Sequence, residues 1–185
     1  MMKRLKKYYE FLDSNHSYGI PSTDNIQIKS INVINGPNRW SESRTNLIQM
    51  VLDLGEFEQF PSNKIPNFVE RLKLLIPSLH EHRCSVGHHG GFFIRLDDGT
   101  WIGHIIEHVA LELQTLAGMD TGWGRTRGVP GQEGVYNVVF NYTNPLCGEF
   151  AAKEATRVIK NIIDNISPNI ERTVEKLRKF NLESN

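Results

Sequence analysis

Apolar side chains recur every three or four positions in several segments of the chain, and this periodicity predicts amphipathic helices. One helix follows Pro66 and ends at Pro77, because proline suits the first position of a helix and cannot continue one. Another lies between Thr100, a candidate N-cap, and Gly118, where a helix would stop. Its apolar stripe consists of Ile102, Ile106, Val109, Leu113 and Leu116.

Two further helical patterns occupy the C-terminal part of the chain. The first is long and has apolar positions at Ala151, Ala155, Val158, Ile162 and Ile166. Pro168 ends it, because proline lacks the N–H that a helix requires. The second is short and is marked by Ile170, Val174 and Leu177.

Four shorter segments, at 26–34, 47–54, 92–96 and 135–142, are rich in β-branched and aromatic residues and predict strands. Strands and helices do not alternate strictly along the chain, which favours an α+β fold. We expect a mostly antiparallel sheet with helices packed on one face, forming a two-layer sandwich. A doubly wound parallel sheet is the alternative.

The 185 residues suit one main domain, which we place at 26–167. Residues 1–25 are predicted to be a peripheral extension. A short amphipathic helix in this extension would carry Leu5, Tyr8, Tyr9 and Leu12. Residues 168–185 are predicted to form a C-terminal helical appendage.

Composition narrows the classes of function. The formal net charge is zero, so nothing indicates bulk attraction to nucleic acid or to a membrane surface. No apolar run reaches the roughly 20 residues of a membrane span. Two cysteines, Cys84 and Cys147, do not make a disulfide framework, which favours reduced thiols and a cytoplasmic location.

The sequence His104-Ile105-Ile106-Glu107-His108 has the pattern H-x-x-E-H, the inverted form of a zinc-peptidase signature. On a helix, His104 and His108 lie one turn apart on the same face, so both imidazoles can bind one divalent metal, with zinc the expected ion. Glu107 is the candidate general base, because the residue beside the second ligand has that role in the inverted motif. The alternative is a helix face that simply meets water.

A histidine-rich run at residues 80–91 strengthens the prediction, since six of the seven histidines lie between 80 and 108. Catalytic zinc sites usually take three protein ligands. Our first choice for the third is Glu81, whose alternative role is a salt bridge to Arg83 or Arg125. Four further candidates are Glu154, Glu149, His88 and Glu112. Cys84 could also be a ligand, but we interpret it as a small buried thiol.

Substrate contacts are predicted next to this site. Arg125 and Arg127 lie in a segment that we interpret as a glycine-rich loop, 122–128. Guanidinium groups bind carboxylates, although a structural ion pair would use the same arginines. The full set of expected substrate-binding residues is Arg83, His88, His89, Arg125 and Arg127.

Several longer motifs carry a resemblance to a known family. They are NGPNRW (35–40), PNFVERL (66–72), EHRCS (81–85), GTWIGHIIEHVALELQ (99–114), GMD (118–120), GRTR (124–127) and GVYNVVF (134–140). In this order they resemble the N-terminal domain of cyanophycin synthetases, from about residue 28 to about residue 166. His89 departs from the family pattern, which has arginine there.

The resemblance implies a role in the metabolism of cyanophycin, a polymer with a poly-aspartate backbone and arginine on each side chain. Family members join these units with ATP-dependent ATP-grasp and Mur-ligase-like domains, which would be partners of this domain. The chain has no phosphate-binding loop of the G-x-x-x-x-G-K-[ST] kind, so we expect no ATP site and no polymerisation by this chain alone. It would be an excised domain or a free-standing relative.

Two functions follow from the resemblance. Some family members carry a metallopeptidase-like site in this domain that hydrolyses cyanophycin into shorter primer chains. The chain would then be a metal-dependent hydrolase, with His104, Glu107 and His108 in the matching positions. The alternative is a non-catalytic domain that binds cyanophycin near the ligase domains. A structural role in a homo-oligomer is a third expectation.

Overall fold

The computed structural model describes residues 19–183. The amphipathic helix predicted between Leu5 and Leu12 lies outside these residues. Four strands occur in the described part of the chain: β1 (Gln27–Asn35), β2 (Asn46–Asp53), β3 (Gly124–Val129) and β4 (Gln132–Asn141). They form one sheet in the order β1-β2-β4-β3, in which every neighbouring pair is antiparallel.

The described part of the chain also contains five α-helices. They are α1 (Phe68–Leu75), α2 (Gly91–Asp98), α3 (Ile102–Leu116), α4 (Pro145–Ile163) and α5 (Ile170–Glu183). Helix α1 begins at Phe68 after a left-handed Asn67, two residues later than a start at Pro66 would require. Short 3₁₀ helices at Pro77–Glu81 and Cys84–Val86 connect α1 to α2.

Residues 92–96, predicted as a strand, lie in helix α2, and that prediction was wrong. Phe92 and Leu96 are both fully buried, and they lie four residues apart on one helical face. Four apolar residues within five positions fit either a strand or one face of a short helix, so composition alone could not separate the two structures.

The segment interpreted as a glycine-rich loop is also different in the structure. Gly124–Val129 is strand β3, paired along β4 from Gly124 opposite Phe140 to Gly128 opposite Tyr136. Among the described strands β3 is the last of the sheet, and its neighbour there is β4. Its glycines led to the prediction of a loop, since glycine is depleted from strand interiors.

The main hydrophobic core lies between the sheet and the helices, as an α+β fold requires. Strand residues such as Ile48 and Val138 pack there with residues of α3 and α4. Val174 and Leu177 of α5 belong to the same core. A smaller cluster of Trp40, Leu47 and Val139 covers part of the opposite face of the sheet. Within residues 19–183 no helix is both long and apolar enough to cross a membrane.

Candidate metal centre

Helix α3 is the central element of the site and is buried on nearly every side. Strand β3 packs along one flank, and the 3₁₀ helix Pro77–Glu81 packs against another. Three polar side chains on this helix are therefore almost inaccessible: Glu107, His108 and Glu112 are 5%, 7% and 3% exposed. The histidine-bearing face lines a cleft and does not form an ordinary solvated surface.

A cysteine, Cys84, lies close to the two histidines of the motif. The Nε2 atoms of His104 and His108 lie 3.1 Å apart, and the Sγ atom of Cys84 lies 3.4 Å from Nε2 of His104. The ligand atoms of these three residues all lie within 4.8 Å of one another. Cys84 is half-buried in the loop before α2, so it is not the enclosed structural thiol that the sequence suggested.

This donor set is of a kind that can hold a metal ion. A tetrahedral zinc centre, with Zn–N about 2.0 Å and Zn–S about 2.3 Å, holds its donors about 3.3–3.6 Å apart. Two of the three separations, 3.1 and 3.4 Å, are close to that spacing, and all three are within 4.8 Å. Three protein ligands also leave a fourth position, which is the arrangement of catalytic zinc sites.

The outer nitrogen of each histidine has a specific partner. Nδ1 of His104 lies 2.8 Å from Oγ1 of Thr100. Nδ1 of His108 lies 2.7 Å from Nδ1 of His82, whose Nε2 is 2.7 Å from Oε2 of Glu112. Both motif rings are thereby held with their Nε2 atoms towards Cys84.

The protein keeps these imidazoles uncharged. Burial lowers the pKa of His104 to about 4, with a further contribution from the positive charge of Arg95. Burial also holds the pKa of His108 well below its ordinary value. The ring of Phe92 stacks on His108 with a centroid separation of 4.2 Å and is an apolar neighbour of this imidazole. Neutral imidazole is the form that binds a metal.

Glu107 occupies the flank of the helix next to β3. Its Oε2 accepts a hydrogen bond of 2.7 Å from Oγ1 of Thr126. Burial raises its pKa to about 7, although the Thr126 hydrogen bond and the charge of Arg125 lower it. Gly124 leaves room for the carboxylate, because a Cβ at that position would lie 2.6 Å from Oε1 of Glu107.

The structure does not bring Glu81 into the donor group. Its side chain is 67% exposed and pairs with His89 at 2.8 Å and with His80 at 3.6 Å, although Glu81 lines the same cleft. The predicted alternative, a salt bridge to an arginine, is not the contact it makes.

The other candidates for the third ligand contact residues outside the donor group. Glu154 pairs with Arg157 beside helix α5, and Glu149 lies 3.7 Å from Lys153. Nδ1 of His88 is 2.8 Å from the carbonyl oxygen of His89. Glu112 is the nearest of them, but it contacts the site through His82.

A cleft of about 830 Å³ surrounds the donor group. Three of the predicted substrate-binding residues line it, namely Arg83, Arg125 and Arg127. His88 and His89 do not line it, although Nε2 of His89 lies 3.2 Å from a guanidinium nitrogen of Arg83. Arg95 also lines the cleft and was not predicted.

Sequence reasoning missed the contributions of His82, Cys84 and Thr126. The run from 80 to 91 contained a signal for His82, since His80 and His82 alternate and can point to opposite faces. Cys84 was considered as a ligand but was interpreted as a buried thiol. In the structure His80 is largely exposed, whereas His82 points into the cleft. Thr126 gave no such signal, because its contact with Glu107 depends on β3 lying beside α3.

Fold and site together define an α+β domain whose cleft carries a Cys-His-His group of metal-binding geometry. Residues 49–164 match the family described as Cyanophycin synthase-like N-terminal domain, and the chain belongs to this family.

Cyanophycin synthetases themselves are similar to the chain over most of its length. Identity is 46% over 154 residues with that of Synechocystis sp., 49% over 139 residues with that of Trichormus variabilis and 50% over 131 residues with that of Crocosphaera subtropica. These matches cover 82%, 75% and 71% of this chain. The chain spans only 15–18% of the length of these relatives, and it corresponds to their N-terminal domain.

Proposed function

We propose that this chain is a metal-dependent hydrolase that cleaves cyanophycin into shorter primer chains. The observation that carries the proposal is the grouping of Cys84, His104 and His108 beside the buried Glu107 in one cleft. A three-ligand donor set next to a carboxylate of near-neutral pKa is the arrangement that hydrolysis needs.

Each residue has a distinct role in this proposal. Cys84, His104 and His108 hold a zinc ion, which when bound supplies a Lewis acid that activates water and polarises the scissile carbonyl. Glu107 accepts the proton of the attacking water and returns a proton to the departing amine. Its hydrogen bond from Thr126 orients the carboxylate for both steps.

The arginines would hold the polymer. Arg125 and Arg127 lie two positions apart on β3, so their side chains leave the same face of the strand, the face opposite to the one from which Thr126 reaches Glu107. Arg83 lines the cleft near Cys84. Guanidinium groups in this arrangement suit the carboxylates of an aspartate-based polymer. The remaining predicted substrate contacts, His88 and His89, would act at the rim of the cleft. Glu81, which was predicted as a metal ligand, pairs with His89 there.

The alternative function is a non-catalytic domain that binds cyanophycin beside ligase domains. The arginine lining of the cleft favours it, because these side chains would bind carboxylates with or without a metal. In either case the partners would be cyanophycin and the ATP-grasp and Mur-ligase-like domains of a longer protein. Two free cysteines suit a cytoplasmic setting.

Zinc content and cyanophycin chain length, measured on the full chain, separate the two functions. The hydrolase should bind about one equivalent of zinc and shorten the polymer. His104→Ala and His108→Ala should lose both properties while circular dichroism shows an intact fold. The matched control is His80→Ala, because that ring is exposed and lies outside the donor group. A chain that binds the polymer without zinc and without cleavage supports the alternative.

A further inference from the structure

A buried line of polar atoms runs from Glu112 to the metal-binding face of His108. Oε2 of Glu112 lies 2.7 Å from Nε2 of His82, and Nδ1 of His82 lies 2.7 Å from Nδ1 of His108. The opposite nitrogen of His108, Nε2, faces His104. The side chains of His82 and Glu112 are 14% and 4% exposed, so water has little access to this line.

An ionised Glu112 and a neutral His82 together give every hydrogen bond in the line one direction. An ionised carboxylate only accepts, so Nε2 of His82 must carry the hydrogen that it donates to Glu112. In a neutral His82 ring, Nδ1 then has a lone pair and accepts from Nδ1–H of His108. Nε2 of His108 consequently has no hydrogen and presents its lone pair towards Cys84 and His104.

The backbone holds His82 in the position that this contact needs. The N–H of His82 donates to the carbonyl of Leu79 at 3.1 Å, and its carbonyl accepts from the N–H of Phe92 at 3.1 Å. Phe92 in turn stacks on His108, so the partner ring is fixed from a second side. Cys84 follows His82 by two residues in the same loop.

We propose that Glu112 and His82 are positioning residues that set the tautomer and orientation of His108 for metal binding. The inference rests on the proposed metal site. It assigns neither residue as a ligand, since both act through His108. Partners of this kind, one contact beyond the ligands, typically affect metal affinity by about 10–100-fold.

The test measures the zinc dissociation constant of the full chain by competition with a chromophoric chelator. His82→Phe keeps a ring of similar shape and removes both nitrogens, and Glu112→Leu removes the acceptor. Each should weaken zinc binding by about 10–100-fold. Glu112→Gln keeps an acceptor oxygen, so it should lose less affinity than Glu112→Leu. The matched control is His80→Phe, two residues away on the solvent side, and it should bind zinc like the wild type.

A purely structural role predicts a different result. The metal-free variants would then melt at lower temperature while their zinc dissociation constant stayed at the wild-type value, which would overturn the proposal. If His82→Phe and Glu112→Leu fail to fold, Glu112→Met decides, because it keeps an unbranched side chain of similar length and has no oxygen acceptor. An unchanged dissociation constant in that variant overturns the proposal. A wild-type chain that binds no zinc instead contradicts the proposed metal site itself.

Discussion

Burial makes Glu107 chemically different from an ordinary glutamate on a helix surface. Its carboxyl is nearly inaccessible, and desolvation raises its pKa to about 7. A carboxylate with a pKa near neutrality can take up a proton and release it again at physiological pH. This is the property that a general base in a hydrolytic site requires.

We predict that Glu107→Gln keeps the metal and loses cleavage. The change is nearly isosteric and leaves Cys84, His104 and His108 untouched, so the zinc content should stay at the wild-type level. Removal of the proton acceptor should lower the rate of cyanophycin cleavage by about 10²–10⁴-fold. Zinc content and cleavage rate are measured on one purified variant. Lower zinc content would mean that Glu107 is a ligand, and an unchanged rate would mean that it is not the base.

The raised pKa of Glu107 also predicts a pH effect on stability. An unfolded glutamate has a pKa near 4.5 and the folded one near 7, so the folded chain binds the extra proton between these values. Stability therefore falls as pH rises through this window. In metal-free protein, Glu107→Gln should match the wild type below pH 4.5 and become more stable above pH 7, by about 3 kcal/mol at most.

Denaturant unfolding of both proteins across pH 4 to 8 measures this difference. Buried histidines such as His104 have lowered pKa values and shift stability in the opposite direction, since their contribution is lost as pH falls below 6.5. These histidines are present in both proteins, so their contributions cancel from the difference in unfolding free energy between the variant and the wild type. A difference that does not vary with pH would contradict the pKa assigned to Glu107.

The third ligand can be assigned by a pair of substitutions. Cys84→Ser replaces a thiolate with a poor zinc ligand. It should lower zinc affinity by at least the 10–100-fold that is typical for the loss of a residue hydrogen-bonded to a metal ligand. Glu81→Gln should leave the affinity unchanged, because that carboxylate pairs with histidines at the rim. Chelator competition on both variants measures the effect. The reverse order of effects would make Glu81 the ligand.

The relative positions of single residues were easiest to predict where one helix determined their spacing. His104 and His108 were predictable because four residues make about one turn. Cys84 and Glu81 lie three residues apart in one loop, and composition alone gave no reason to prefer the thiol. Their positions depend on how that loop crosses α3.

Among the elements, strand β3 and helix α3 meet most closely where Gly124 faces Glu107. A Cβ on Gly124 would lie 2.6 Å from Oε1 of Glu107, closer than real contacts allow. Thr126, two residues along the strand, donates to the other carboxylate oxygen. The edge strand therefore determines where this carboxylate can lie.

We predict that Gly124→Ala displaces the Glu107 carboxylate and slows cleavage while zinc binding is retained. The matched control is Gly128→Ala on the same strand, where a Cβ would meet nothing within 4 Å. This control should keep both zinc and activity. Equal rates for the two variants would show that the position of β3 does not constrain Glu107.

Helices with strong periodicity were predictable, and so were β1, β2 and β4, which were predicted from their β-branched and aromatic residues. The predictions for residues 92–96 and 122–128 were wrong. The apolar stripes of α3 and α4 extend over several turns, so the prediction of helices was secure. Residues 92–96 are too few to distinguish a strand from one face of α2. Strand β3 has glycine at both ends of its run of arginines, so its pairing with β4 was not evident before the sheet was known.

At the scale of the whole molecule, the core does not depend on the metal centre. Residues of the sheet, α3, α4 and α5 form one apolar cluster that includes Ile48, Val138 and Val174. His104, His108 and Glu107 line the cleft, and the core residue Phe92 packs against both histidine rings. The α+β class was predictable because it follows from the order of elements, whereas the cleft arises where a loop and an edge strand flank one helix.

We therefore predict that removal of zinc lowers the melting temperature without unfolding the chain. A ligand that binds only the folded state stabilises it by about 2.7 kcal/mol when its concentration is 100 times its dissociation constant, and a chelator should reverse this gain. Melting followed by circular dichroism, with chelator and after zinc is restored, measures the effect. The His108→Ala variant serves as control and should show no zinc-dependent shift. If the wild type unfolds on chelation, the metal has a structural role, because a site needed only for hydrolysis leaves the apolar core intact when it is emptied.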